Sequence, residues 1–152
     1  MVDAANVIGS VPDGWWRNRL AAAERLRDSL VPYAREGLPG RPALDVVLVV
    51  EGAARALEPV PGIRVEAAPG SGDNRIVQLV SAEEERPCLV VTADRGLRER
   101  VRALGAEVTG PRTVRPEAGT GQPAPPVTGA WDGEPPEAEE PAGPEDAGGR
   151  GR

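Results

Sequence analysis

The sequence predicts an α/β fold in which a parallel β-sheet lies between two layers of helices. Short apolar runs alternate with amphipathic stretches over residues 1–112, which is typical of consecutive β-α units. The run Val46–Val50 contains only Val and Leu, as expected of a central strand that is buried on both faces. Because β-α-β crossovers are right-handed, the simplest strand order is 3-2-1-4-5, which makes the fold a doubly wound three-layer sandwich.

The strands are predicted from short apolar runs that are bounded by turn residues. The first run is brief, since only Met1 and Val2 precede Asp3, and a turn through Gly9 and Gly14 follows it. The later runs are dominated by Val, Ile, Leu and Ala. In chain order, the predicted strands are residues 1–3, 46–50, 63–67, 89–92 and 106–109.

The helices are predicted from apolar side chains at three- and four-residue intervals. The longest begins near Trp15 and ends before the glycines and prolines of residues 37–42, because these residue types break helices. A shorter one ends before Pro59. In chain order, the predicted helices are residues 15–35, 52–57, 74–81 and 96–104.

The C-terminal segment differs in composition from the rest of the chain. From Pro116 onward it is rich in Pro, Gly and Glu, and it cannot bury enough apolar surface to offset the entropy of ordering. We therefore predict one folded domain over residues 1–112 and a disordered tail over residues 113–152. Eight acids and two arginines follow residue 116 and account for the whole net charge of −6. The folded part is neutral, so its charge does not exclude a nucleic-acid partner.

The composition excludes several kinds of site. A single cysteine, Cys88, rules out a disulfide framework, and the lack of histidine also rules out a structural zinc site. Any metal would be a hard cation held by oxygen ligands. No apolar run approaches the roughly 18 to 20 residues of a membrane helix. We therefore predict a cytoplasmic protein without a membrane partner.

Three aspartates, Asp3, Asp73 and Asp94, lie where a strand gives way to a loop or a helix. Asp3 and Asp94 flank the point between the first and fourth strands where the strand order reverses, and binding sites form at such points. Converging carboxylates repel one another unless a cation lies among them, and such a site suits Mg²⁺ or Mn²⁺ and the hydrolysis of phosphodiesters. The alternative for Asp73 and Asp94 is that each caps the helix that follows it.

Four segments resemble the NYN domains of the YacP-like type, which are relatives of the PIN-domain ribonucleases. They are VDAAN at residues 2–6, LVVEG at 48–52, PGSGDNRIV at 69–77 and VVTADRGLRERVRALGA at 90–106. The resemblance implies a PIN-like sandwich and a Mg²⁺- or Mn²⁺-dependent ribonuclease whose acidic residues match Asp3, Asp73 and Asp94. It also implies that Asn6 orients the substrate or a metal-bound water. Asn74 stands where such sequences often carry a second Asp.

The arginines of the first long helix and of the last helix have two interpretations. If they face the cleft, they would neutralise the phosphates of a nucleic acid. The favoured interpretation is that most of them pair with nearby acids such as Asp28 and Glu99 on solvated helix faces. Arg95 is the exception, because its position beside Asp94 keeps it near the cleft as a candidate substrate-binding residue.

Three other residues remain open to interpretation. Glu51 either adds an outer acid to the site or simply ends the second strand. Trp15 and Trp16 either stack on a nucleobase or, as is favoured, pack the start of a helix onto the sheet.

The function predicted on these grounds is metal-dependent hydrolysis of RNA. One alternative is a catalytically weak or inactive RNA-binding module of the same fold, to which Asn74 points. A second alternative is a metal-dependent phosphohydrolase that acts on nucleotides. The D-x-D pattern of the nearest α/β phosphatases is not met by Asp3-Ala4-Ala5, however.

Overall fold

The computed structural model describes residues 1–115 and contains one parallel sheet of five strands. The strands are β1 (Val2–Asp3), β2 (Val46–Val50), β3 (Ile63–Ala67), β4 (Leu89–Val91) and β5 (Glu107–Thr109). Their order across the sheet is β3-β2-β1-β4-β5, which confirms the predicted order. Of the tail predicted at residues 113–152, residues 116–152 lie outside the described residues.

Four α-helices lie among the described residues. They are α1 (Ala4–Gly9), α2 (Arg19–Glu36), α3 (Gly72–Ala82) and α4 (Arg95–Ala103). Short 3₁₀ turns occupy Trp15–Arg17, Gly52–Ala56 and Pro111–Thr113. None of the helices in this part of the chain is both long enough and apolar enough to cross a membrane.

Two apolar cores, one on each face of the sheet, give the fold its three layers. All five residues of β2 are buried, and successive side chains of a strand point to opposite faces. Val46, Leu48 and Val50 pack with buried residues of α1 and α2. Val47 and Val49 pack with buried residues of α3 and α4. The central strand is therefore covered by helices on both faces, as predicted.

The prediction missed α1, which occupies residues expected to form a turn. Asp3 caps this helix by accepting a hydrogen bond from the backbone N–H of Asn6 at 3.2 Å. Ala4, Val7 and Ile8 bury its inner face. Six residues are too few to show a clear helical period in the sequence, so the cap and the burial stabilise the helix.

Two other helix boundaries were predicted incorrectly. The helix expected over residues 15–35 is interrupted at Asn18, whose backbone is extended, with φ −149° and ψ 91°. The Asn18 side chain accepts from the backbone N–H of Ala21 at 2.9 Å and begins α2 there. The helix expected over residues 74–81 begins earlier, because Ser71 caps it.

Contacts with the core continue beyond the predicted domain boundary at residue 112. Val114 is buried among the residues that α1 and α2 cover. Arg115 forms a salt bridge with Asp13 at 3.1 Å and donates to the carbonyl oxygen of Val7 at 3.4 Å. The segment after β5 therefore packs beside α1.

The short β1 strand determines how the carboxyl edge of the sheet is held together. β1 pairs with β2 at two positions, but with β4 only where Val2 lies opposite Val91. Beyond this pair, no ladder position joins the ends of β1 and β4. Side-chain hydrogen bonds take over there, and they involve the predicted site residues.

Candidate active site

Asp3 lies at the centre of the carboxyl edge and is 4% exposed. Its Oδ1 accepts from the backbone N–H of Asn6 at 3.2 Å, and its Oδ2 accepts from the hydroxyl of Thr92 at 3.0 Å. Both carboxyl oxygens therefore have a donor, as buried polar groups require. The two donors come from α1 and from the residue that follows β4.

Thr92 connects Asp3 to Asp94. The Thr92 hydroxyl is fully buried and accepts from the backbone N–H of Asp94 at 3.2 Å while it donates to Asp3. Asp94 caps α4, since its Oδ1 accepts from the backbone N–H of Leu97 at 2.7 Å. The capping alternative for Asp94 is thus confirmed, and it places this carboxyl group next to the hydroxyl that binds Asp3.

Asp73 enters the site from the first turn of α3. The cap of this helix is Ser71, whose hydroxyl accepts from the backbone N–H of Asn74 at 3.3 Å. The capping alternative for Asp73 is therefore wrong, and its half-buried carboxyl group is available for other contacts.

Glu51 reaches the same helix from the end of β2. Its carboxylate accepts from the backbone N–H of Gly72 at the start of α3. A Cβ on Gly72 would lie 3.0 Å from Glu51 Oε2, so a glycine gives the carboxylate room. Glu51 does more than end a strand, and it adds a fourth acid to this edge.

The four carboxyl groups interact electrostatically. Burial raises the pKa of Asp3 from its ordinary value of 3.8 to about 7; the nearby Asp73 and Glu51 also raise it, and the hydrogen bonds from Asn6 and Thr92 oppose this. Burial also raises the pKa of Asp73, as do Asp94 and Glu51, while Arg100 opposes the shift. Within residues 1–115, Asp3, Asp73 and Asp94 form no salt bridge. Among the described residues, no arginine at ion-pair distance therefore relieves the repulsion on these three aspartates.

The predicted metal site is not formed by direct convergence of its ligands in the described part of the chain. Among residues 1–115, no three acidic, cysteine or histidine side chains lie close enough to hold a metal ion together. Mg²⁺ commonly keeps several waters and takes only one or two carboxylates directly. A shared cation between Asp3, Asp73 and Asp94 remains a prediction.

Asn6 and Arg95 differ in their surroundings. Asn6 is buried, and its Oδ1 accepts from the backbone N–H of Ala93 at 2.7 Å. This bond ties α1 to the turn before Asp94, so Asn6 positions the backbone of the site. Arg95 is exposed at the first position of α4, directly beside Asp94.

Sequence reasoning missed Thr92 and left Glu51 undecided. The signal for Thr92 was present, since a hydroxyl residue stands two positions before the capping Asp94 at the end of a buried strand. The favoured interpretation holds for Trp15, which packs against the core. Its neighbour Trp16 meets it edge-on, with ring centroids 5.8 Å apart.

The raised pKa of Asp3 predicts how stability changes with pH. A group whose pKa is higher in the folded state stabilises the protein at low pH and loses this contribution as the pH rises through the folded pKa. Compared with Asp3→Asn, the metal-free parent should lose about 4 kcal/mol of stability between about pH 4 and 7. Urea unfolding of both proteins across this range measures the difference. Parallel pH curves for the two proteins would contradict the assignment.

Thr92 should matter through its hydroxyl group. Thr92→Val leaves Asp3 Oδ2 without its hydroxyl donor and the Asp94 N–H without its acceptor, so it should destabilise the protein by about 2 to 4 kcal/mol. Thr92→Ser keeps the hydroxyl and should cost only about 1 kcal/mol for the lost methyl group. Amide hydrogen exchange at Asp94 should accelerate in the valine variant alone. Equal exchange in both variants would show that the bond to Thr92 does not protect this amide.

Comparisons with known proteins support the fold. No protein-family model matches the chain, and no curated protein matches it. Among solved structures, the chain is similar to the W164L mutant of Rae1 (YacP) from Bacillus subtilis, with a TM-score of 0.57 and 21% identity. The match covers 77% of this chain and 71% of that one. The chain therefore has a YacP-like fold.

Proposed function

We propose that this protein is a divalent-metal-dependent ribonuclease whose site is the carboxylate cluster at the carboxyl edge of the sheet. The observation that carries the proposal is the buried Asp3 carboxyl group, which has a pKa near 7 and faces the charges of Asp73 and Glu51. Strongly perturbed acids mark functional sites in many proteins. The YacP-like fold and the resemblance of the sequence to NYN domains support RNA as the substrate.

Asp3, Asp73 and Asp94 would hold a hydrated Mg²⁺ or Mn²⁺, with one or two of these carboxylates as direct ligands and the remainder contacting its water ligands. When bound, such a cation lowers the pKa of a water ligand and neutralises charge on a phosphoryl oxygen. The chain's own residues prepare the site for it. Thr92 orients the Asp3 carboxylate, Asn6 holds the backbone before Asp94, and the hydrogen bond from Gly72 to Glu51 fixes the start of the helix that carries Asp73.

Asn74 does not argue strongly for an inactive protein. Its side chain is exposed, and its Oδ1 accepts from Arg100 at 3.0 Å. Arg100 in turn partly opposes the rise in the pKa of Asp73 that burial, Asp94 and Glu51 cause. Asn74 therefore contacts α4 through Arg100. An aspartate at this position would pair with the same arginine.

The nucleotide phosphohydrolase alternative lacks a comparable observation. Cavities of about 740, 490 and 480 Å³ occur in the described part of the chain, and none is lined by Asp3, Asp73 or Asp94. A small nucleotide usually binds in an enclosed pocket, whereas a polymer can lie across an open edge. We also propose a cytoplasmic location, because a chain with one cysteine suits a reducing compartment.

Cleavage of single-stranded RNA by the full-length protein tests the proposal. Activity should be absent in EDTA and should appear with Mn²⁺ or Mg²⁺. Asp94→Asn should lower it by about a hundredfold, since the loss of even an outer-shell partner of a metal ligand costs about 10- to 100-fold. Because Asn caps helices about as well as Asp and repulsion is relieved, the metal-free variant should be at least as stable as the parent.

The matched control is Asp45→Asn. Asp45 is exposed just before β2, at the opposite end of the sheet, and pairs with Arg86. This variant should cleave RNA like the parent. Equal activity of Asp94→Asn, or cleavage that persists in EDTA, would contradict the proposal. Binding of RNA without cleavage would identify an RNA-binding module, and hydrolysis of nucleotides but not RNA would identify a phosphohydrolase.

A further inference from the structure

Three arginines form a stripe along α4. A helix turns by about 100° per residue, so Arg95, Arg98 and Arg102 lie within an arc of about 60°. We call these three residues the α4 arginine stripe. The buried residues of the helix, Leu97 and Val101, lie on a different face. Arg95 and Arg102 are exposed, and Arg98 is half-buried.

The residues of the stripe, like several other arginines of residues 1–115, form no salt bridge, whereas six arginines do. Salt bridges are formed by Arg27, Arg41, Arg64, Arg75, Arg86 and Arg115. No residue of the stripe forms a salt bridge with an acid within residues 1–115, although Glu99 lies on the same helix. The pairing expected from the sequence therefore occurs at Arg27 with Asp28 but not on α4.

The stability of α4 explains only part of the stripe. The helix dipole favours Arg102 in the last turn, and Glu99 lies four residues after Arg95 and three before Arg102. Like charges three and four residues apart repel on a helix surface. Arg95 also lies at the N-terminus of α4, where the helix dipole disfavours a cation. The Nε of Arg98 is buried and finds no acceptor among the described residues. The position of Arg95, its repulsion with Arg98 and the unpaired Nε of Arg98 are thus not explained by the stability of the helix, so they point to a partner outside the folded domain.

The position of the stripe relates it to the candidate active site. It begins at Arg95, the residue after Asp94, and with a rise of about 1.5 Å per residue it extends about 10 Å along the helix. A chain that passes the carboxylate cluster and follows this helix would meet all three guanidinium groups. Exposed guanidinium groups bind phosphates through paired N–H donors.

We propose that the α4 arginine stripe binds the phosphates of an RNA strand whose adjoining segment lies in the active site. The inference takes its partner from the proposed function. Contacts with phosphates carry no base information, so this surface binds the strand independently of its sequence. It sets affinity and register, while the carboxylate cluster performs the chemistry.

The test is the salt dependence of RNA binding by the full-length protein. Fluorescence anisotropy with a labelled polyuridine oligonucleotide in EDTA measures binding while metal-dependent cleavage is prevented. Each phosphate contact with a single strand contributes about 0.7 to the slope of log K against log salt concentration. The triple variant R95Q/R98Q/R102Q should bind more weakly and show a slope shallower by about 2.

The matched control is R41Q/R64Q/R86Q, which removes the same charge at the opposite end of the sheet. These three arginines pair with Glu107, Glu66 and Asp45. The control should keep the parent's slope. An unchanged slope in the stripe variant, equal losses in both variants, or no binding by the parent at low salt would overturn the inference.

The outcome separates the inference from the proposed function. If the parent cleaves RNA with Mn²⁺ but the stripe variant keeps the parent's slope, the site stands and the stripe is not its binding surface. Suppose instead that the salt slope becomes shallower in the stripe variant but not in the control, and that the parent cleaves RNA with neither Mn²⁺ nor Mg²⁺. The stripe then binds RNA, and the ribonuclease proposal fails.

Discussion

The hydrogen bonds of the buried Asp3 carboxyl group are the interaction on which the rest of the site depends. The central strand β1 has two residues and pairs with β4 at a single position, so the sheet alone cannot hold its carboxyl edge. One oxygen of Asp3 begins α1 through Asn6, and the other receives the Thr92 hydroxyl. Thr92 then fixes the backbone of Asp94. A single side chain thereby joins a strand, a helix and the turn that leads into α4.

This arrangement has an electrostatic cost. A buried carboxylate normally has a cationic partner, because burial disfavours its charged form. Here the nearby charges are Asp73 and Glu51, and both raise the pKa of Asp3. If this edge of the sheet had no function, the protein would be more stable with fewer acidic residues there. Local rules of stability are commonly broken at functional sites, and a hydrated cation would remove the repulsion.

The sequence predicted the sheet well because its signals are strong. An uninterrupted run of Val and Leu identified β2, and alternation of strands and helices gave the strand order. The same reasoning failed for α1, since a helix of six residues depends on its cap and its burial. It failed at Asn18 because the apolar spacing continues across a break that only the backbone reveals. Asp3 and Asp94 could be predicted as site residues because they follow predicted strands. The hydrogen bonds that join them through the Thr92 hydroxyl could be identified only from the three-dimensional structure.

The central claim is that the carboxylate cluster at this edge binds a divalent cation. Anomalous X-ray diffraction from crystals of the full-length protein soaked in Mn²⁺ measures this directly. The account predicts an anomalous peak beside Asp3 and Asp94, with Mn²⁺ bound to one or two carboxylate oxygens and with water completing its coordination. It also predicts that Asp73 lies within reach of that water shell. Density that shows the three aspartates with no anomalous peak among them, at Mn²⁺ concentrations that support activity, would contradict it.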